Sequence, residues 1–180
     1  MDFLETMIAR NARFAETAFA PELKILPSAG TIVVGCVDPR VDPAYVLGLE
    51  QGEVAVIRNV GGRITPALLE TLAVLRVVAK AAGSEAGLRS LVLLHHTDCG
   101  IIGCYHHAPE LLASYLGVDV AALDDLAILD PYKAVARDVA ALKASHQFPP
   151  ALAISGLVYD VITGRVTTTV PPAALHSSGK

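Results

Sequence analysis

The chain has 180 residues, 53% of them apolar, which is enough for one substantial hydrophobic core, and it is read as a single domain over residues 1–180. With 14 Lys and Arg against 18 Asp and Glu, a formal charge of −4 and no basic run, it lacks the clustered positive charge with which a nucleic-acid surface displaces counterions. Its apolar runs are short or interrupted, as by Arg76 and Lys80 within residues 72–82, and none approaches the roughly 20 residues of a membrane span. The N-terminus carries Asp2 and Glu5 and has no compact apolar stretch of the kind that forms an export signal, so a soluble, cytoplasmic protein is expected. Three cysteines are an odd count, and in that setting they are read as thiolates or core residues, not as a disulfide framework.

Residues 3–19 place Phe3, Leu4, Met7, Ile8, Phe14 and Phe19 at spacings near three and four, which predicts an amphipathic helix whose apolar face needs a partner. A loop with two prolines leads into a β-branched strand over residues 31–36, followed by Asp38 and Arg40. Residues 43–49 predict a short helix with Pro at its first turn, and residues 53–59 a second strand that ends at Arg58, Asn59 and the pair Gly61 and Gly62. Thr65 as N-cap and Pro66 as first residue open a Leu-rich core helix that Gly83 closes. A strand over residues 91–94 follows, so strand, helix and strand suggest a parallel crossover. Residues 109–116 and 131–146 predict two more helices, and residues 117–130 read as a connection or a short helix. A strand over residues 151–159 turns through a hairpin at residues 160–165 into an antiparallel edge strand over residues 166–170, and residues 171–180 read as a loose tail. The fold class is therefore α/β, a mostly parallel sheet flanked by helices with an antiparallel edge strand.

Two strand ends carry the chemistry. Cys36 closes one, and His95, His96 and Cys99 follow another, at the carboxyl ends of strands where open α/β sheets bind ligands. Cys36, His96 and Cys99 would make a three-ligand set matched to zinc, with the open fourth position of a catalytic site. A metal-activated hydroxide is a nucleophile near neutral pH. Asp38 could accept the proton of the activated water, and Arg40 could hold that carboxylate through paired hydrogen bonds. If Asp38 left Arg40 and took the fourth position itself, the nucleophile would be lost.

Cys36-Val37-Asp38-Pro39-Arg40, followed at long range by His96-Thr97-Asp98-Cys99-Gly100, resembles the Cys-x-Asp-x-Arg and His-x-x-Cys signature of the β-class carbonic anhydrases. The likeness extends through the segments at residues 57–62 and 156–160 and is greatest with the small members of that family. It implies one Zn2+ per chain held by Cys36, His96 and Cys99, and a lyase that interconverts CO2 and bicarbonate, with Asp38 and Arg40 as the catalytic dyad. It also makes His96, not His95, the ligand, and leaves His95 a packed or hydrogen-bonded neighbour. Gly61, Gly62 and Gly100 become candidates to line the substrate pocket. The family forms dimers or larger assemblies in which an N-terminal helix packs on a neighbouring subunit, so a homodimer or homotetramer is expected. Pro39 stands where many relatives have Ser or Ala, and it stiffens the turn that carries the dyad.

Three other readings compete. Relatives hydrolyse carbonyl sulfide or carbon disulfide on the same scaffold, the zinc could be purely structural, or Cys36, Cys99 and Cys104 could serve as redox thiols. A second metal cluster of Cys99, Cys104, His106 and His107 lacks the paired short spacings of a structural site, and Cys104 reads better as a small buried residue. Asp98 reads either as an acceptor supporting the site or as a loop-capping group, with the loop role favoured. Arg58 and Arg63 read as surface or interface charges, Arg58 at its strand end near the site being also a candidate for substrate or interface contact. His146 and His176 read as ordinary helix-end and tail residues.

Overall fold

The computed structural model of the protein describes residues 2–83, 88–145 and 148–174; His146, His176 and the tail from residue 175 onward lie outside the described residues. Five strands form one sheet: β1 (Thr31–Cys36), β2 (Ala55–Asn59), β3 (Ser90–His96), β4 (Ala153–Tyr159) and β5 (Val166–Ala174), in the order β2-β1-β3-β4-β5. The first four run parallel and β5 pairs antiparallel with β4, the α/β arrangement expected from the sequence. β3 is the central strand with β1 beside it, and their continuous apolar runs suit burial on both faces; Val33, Val34, Leu93 and Leu94 are all buried.

The helices are α1 (Phe3–Thr17), α2 (Pro43–Val46), α3 (Pro66–Ala81), α4 (Ile101–His107), α5 (Pro109–Leu116) and α6 (Pro131–Ala144). α3 starts where its sequence dictates: the Thr65 hydroxyl accepts from the Leu68 N–H at 3.1 Å, and Pro66 takes the first position. α6 is capped in the same way by Asp130, which accepts from the N–H groups of Tyr132 and Lys133. Both helices cover one face of the sheet. Ile32, Val34, Leu91, Leu93, Ile154 and Val158 pack there against Leu68, Leu72, Val135, Val139 and Leu142. α6 lies so close to β4 that a Cβ on Gly156 would come within 2.9 Å of Val135 Cγ2. A second cluster, around Ile101, Leu112, Leu116 and Ile128, joins α4 and α5 to the turns that follow.

Several elements differ from the sequence reading, each for a physical reason. β5 continues through Pro171 and Pro172 to Ala174, where a loose tail was expected, because an edge strand tolerates residues that cannot donate to the ladder. β3 runs two residues further than its apolar run and carries both histidines. α4 was not anticipated, since its residues were read only for their metal-binding capacity; the connection over residues 117–130 resolves into two single 3-10 turns. α3 buries Leu68 and Leu72 but exposes Val74 and Val77, so only one side of it is core. None of the residues of α1 is buried, and Phe3, Leu4, Met7 and Ile8 face outward.

Arg63 corrects the expectation of a surface charge. It is 2% exposed and donates through Nε and Nη2 to the Asp138 carboxylate at 2.8 and 2.9 Å, while the Ile64 N–H reaches the same carboxylate at 3.2 Å. Strand alternation puts His95 on the core face with Leu91 and Leu93, and its Nε2 lies 3.2 Å from the Gly62 carbonyl and 3.5 Å from Asp138. Burial works against the Asp138 carboxylate, but His95 and Arg63 outweigh it and hold the group below its usual range. The network straps the chain after β2 onto α6. Asp138→Ala leaves a buried guanidinium unpaired and is expected to cost about 3 kcal/mol, read as a lower urea midpoint at unchanged slope; a midpoint within error of the parent would contradict that role.

Candidate metal centre

Strand order places the site. From β1 the chain moves to one side for β2 and then crosses, through α3, to the other side of β1 for β3, so the carboxyl ends of β1 and β3 flank a crevice at the point where the winding reverses. Cys36 is the last residue of β1, His96 the last of β3, and Cys99 lies three residues beyond. Their donor atoms all lie within 4.8 Å of one another, and among the described residues this is the one His, Cys, Asp and Glu group gathered tightly enough to hold a metal ion.

The imidazole of His96 is set for a ligand. Its Nδ1 lies 2.8 Å from the Thr97 carbonyl, which can only accept, so Nδ1 carries the proton and Nε2 presents its lone pair. Nε2 is buried and has no hydrogen-bond partner. A buried acceptor left unmatched is costly, and one facing two sulfurs is what a soft, divalent metal would satisfy. Cys36 and Cys99 Sγ are 3.9 Å apart, and the Cys36 sulfur also receives the N–H groups of Gly61 at 3.3 Å and Asp38 at 3.5 Å. The Cys99 thiol, then His96 and the two N–H groups, lower the Cys36 pKa against the opposing effect of burial. Cys99 is pushed up by its neighbour Cys36 and by burial, as expected when two thiols share one site without a cation. The residues present therefore fit a thiolate-binding divalent metal, zinc above all.

Asp38 and Arg40 meet as expected. Arg40 donates through Nε to Asp38 Oδ1 at 3.0 Å and through Nη2 to Oδ2 at 2.7 Å, and its backbone N–H reaches Oδ1 at 2.9 Å. These bonds hold the Asp38 pKa down at about 2 and raise that of Arg40. Pro39 begins the single 3-10 turn that brings the two side chains together. Two further contacts surround this pair. Arg40 Nη1 also reaches the Asp98 carboxylate at 2.8 Å, and its Nη2 the Asp98 carbonyl at 2.9 Å, so of the two roles open to Asp98 the structure shows the acceptor beside the site and not the favoured loop role alone. Arg58 is half-buried: it donates to the carbonyls of Cys36 and Asp38 at 2.8 Å each and to Asp42 Oδ2 at 2.6 Å, clamping the turn from below. The sequence signal for it was its place at the end of a strand beside β1.

Gly61 and Gly62 have φ of +77° and +63°, and a Cβ on Gly62 would stand 3.2 Å from the Cys36 nitrogen and the Leu94 carbonyl. Only glycine lets this segment turn left-handed while pressing on the ends of β1 and β3. The N–H of Gly61, a candidate to line the pocket, is given to Cys36. Gly100 is exposed at the start of α4 with open space around its Cα. Cys104 is partly buried against the α4–α5 cluster and His106 and His107 are exposed, so no second metal group forms there among the described residues.

A family model described as carbonic anhydrase matches residues 31–127, the stretch that holds all of these side chains. Beta-carbonic anhydrase 1 of Mycobacterium tuberculosis is 34% identical over 102 residues, which are 57% of this chain and 58% of that protein. A carbonic anhydrase of Helicobacter pylori is 36% identical over 86 residues, 47% of this chain and 38% of its own length. These matches thus span well under two thirds of the relatives' lengths. The crystal structure of a carbonic anhydrase from Streptococcus mutans superposes with a TM-score of 0.72 at 32% identity, covering 94% of this chain and 98% of that one. A carbon disulfide hydrolase in its apo form shares the fold, with a TM-score of 0.60 at 20% identity over 92% of this chain and 89% of that one. A crevice at the β1–β3 switch point, its Cys-His-Cys donors inside the matched segment, and a fold shared along nearly the whole chain make this chain a member of the β-class carbonic anhydrase family.

Proposed function

We propose that the protein is a zinc-dependent carbonic anhydrase that hydrates CO2 reversibly to bicarbonate and a proton, with Cys36, His96 and Cys99 as the ligands of one Zn2+ per chain. The observation that carries this reading is the buried, unpartnered His96 Nε2 beside two cysteine sulfurs. Zinc held by these residues supplies Lewis acidity that brings the pKa of a water toward neutrality and so makes a nucleophile for CO2. Cys99 and His96, and after them the N–H groups of Asp38 and Gly61 that point at its sulfur, favour the thiolate form of Cys36. Asp38 is held as a carboxylate, so it is always an acceptor: it orients the attacking water by taking one of its protons in a hydrogen bond. Arg40 fixes where that acceptor stands. Gly61, Gly62 and Gly100 shape the wall past which substrate enters. CO2 is preferred to carbonyl sulfide or carbon disulfide because the relatives more than 30% identical to this chain are named carbonic anhydrases, while the carbon disulfide hydrolase is alike in fold alone.

Assembly is part of this reading. The wholly unburied α1, with Phe3, Leu4, Met7 and Ile8 outward, leaves an apolar face that a second copy of the chain would cover, giving a homodimer or a homotetramer built from it.

Stopped-flow CO2 hydration from about pH 6.5 to 9, on protein of measured zinc content, tests the reaction: rapid turnover that rises with pH is expected, and none at any pH with one zinc per chain would refute it. Asp38→Ala should retain zinc and lower kcat by about 10- to 100-fold. With its pKa down at about 2, Asp38 remains ionised through any working pH, so an acid loss of wild-type activity near pH 6.5 cannot be its simple protonation. The stability that the Asp38 carboxylate confers is likewise complete above its ordinary value of 3.8 and is lost only as pH falls through about 2. Cys99→Ser is expected to release the metal, measured as zinc per chain after dialysis; full retention would remove Cys99 from the ligand set. Ile8→Asp should lower the mass in light scattering to that of a smaller species, and an unchanged assembly would exclude α1 from the interface.

A further inference from the structure

Arg40 is shared between two carboxylates, and the second one has no part in the reaction as proposed. Its Nε and Nη2 serve Asp38, while Nη1 goes to the Asp98 carboxylate at 2.8 Å and Nη2 also reaches the Asp98 carbonyl at 2.9 Å. The two carboxylates use different nitrogens of the guanidinium, Nη2 being shared only between the Asp38 carboxylate and the Asp98 main-chain carbonyl, so they complement each other and do not compete. Asp98 is one of two non-glycine residues with positive φ among the described residues, at +53°. That left-handed turn, which Asp tolerates better than most residues, aims both its carbonyl and its carboxylate at Arg40. The loop does not depend on this contact for its closure. The neighbouring Thr97 is held separately, its N–H by the Tyr159 carbonyl at 3.0 Å and its hydroxyl by the Val161 N–H at 3.1 Å.

We infer that Asp98 is a positioning residue for the Asp38–Arg40 dyad: it holds the Arg40 guanidinium in the orientation that keeps Asp38 in place. The reason is in the exposures. The Arg40 side chain is 48% exposed and that of Asp38 only 14%. A long, half-exposed arginine tied to a single carboxylate is a weak constraint, since it must give up rotamer freedom in water to hold one geometry. Tied at both ends of its plane, by Asp38 on the segment after β1 and by Asp98 on the segment after β3, the guanidinium has little left to rotate about. Asp98 thereby links the two strand ends that bear the metal-competent residues, in addition to any metal between them. This inference rests on the carbonic anhydrase reading only for its kinetic consequence; the ordering of Arg40 is a property of the chain itself.

Asp98→Gly is the informative variant, because glycine accepts φ of +53° without strain and keeps the main-chain carbonyl while deleting the carboxylate. Asp98→Asn retains a side-chain oxygen acceptor and tolerates the same backbone. The 15N relaxation of the Arg40 Nε–H group, measured on the full chain with and without zinc, reports the ordering directly. We expect a rigid Arg40 side chain in the parent, a mobile one in Asp98→Gly and an intermediate one in Asp98→Asn. In stopped-flow hydration, kcat of Asp98→Gly should fall about fivefold, or about 1 kcal/mol, with KM changed less than about twofold and zinc content unchanged, and Asp98→Asn should recover part of the loss. Equal Arg40 rigidity in the parent and Asp98→Gly would overturn the inference, as would unchanged kcat in a parent that hydrates CO2. A parent that hydrates no CO2, but whose Arg40 loosens in Asp98→Gly, supports the positioning role and refutes the functional reading alone.

Discussion

The pairing of β1 with β3 is the constraint on which the rest depends. It is a parallel register in which Gly35 lies beside Leu94, so the two strands end together and Cys36 arrives level with the paired histidines. Parallel neighbours cannot be joined by a tight turn, and the chain between them makes β2 and then the α3 crossover. That crossover leaves the crevice at the ends of β1 and β3 uncovered, and the donors of the candidate site all come from its two rims. A candidate metal site whose two cysteines lie 63 residues apart in the chain is thus a direct result of strand order.

Beside the crevice lies a second polar layer, buried, that ties the neighbouring segments together. His95 and His96 are adjacent in sequence and opposite in role because a strand turns successive side chains to opposite faces. His95 goes to the core face, where Gly62 and Asp138 receive it; His96 turns the other way with its proton fixed on Nδ1. Arg63 and Asp138 hold the segment after β2 against α6, and that same segment offers the Gly61 N–H to Cys36. A buried ion pair of this kind adds little net stability over an apolar pair of the same volume. Its value lies in fixing a loop whose N–H group must meet a sulfur.

Most of this was legible in the sequence where side-chain chemistry and backbone pattern agree. The apolar runs of β1 and β3, the Thr65-Pro66 start of α3 and the Cys36, His96 and Cys99 set all carry local signals, and the structure brings the last three together. What escaped were relations between segments. Arg63 looks like any surface arginine until α6 supplies Asp138, and Asp98 could be read as an acceptor or a loop cap but had no partner until Arg40 reaches it from the end of the other strand. The continuation of β5 through Pro171 and Pro172 was hidden because proline argues against a strand in general, and only sheet order reveals that this strand is an edge. α4 was obscured by its own composition, since Cys104, His106 and His107 invite a metal reading before a helical one.

The site divides its work between rigid and adjustable parts, and burial marks the division. Cys36 and His96 are 4% and 2% exposed and seated on strand ends, and of the polar atoms of these two side chains only His96 Nε2 is without a partner. A donor set of that kind cannot move far without disrupting the sheet, so its geometry is decided when the chain folds. Asp38, Arg40 and Asp98 sit progressively further into solvent, on a single 3-10 turn and a left-handed loop, where each ion pair alone is a weak restraint. Their order therefore has to come from numbers: three groups bonded to one planar guanidinium restrict one another as no single pair could. The Asp38–Arg40 pair can then remain close to water and still be held in one place.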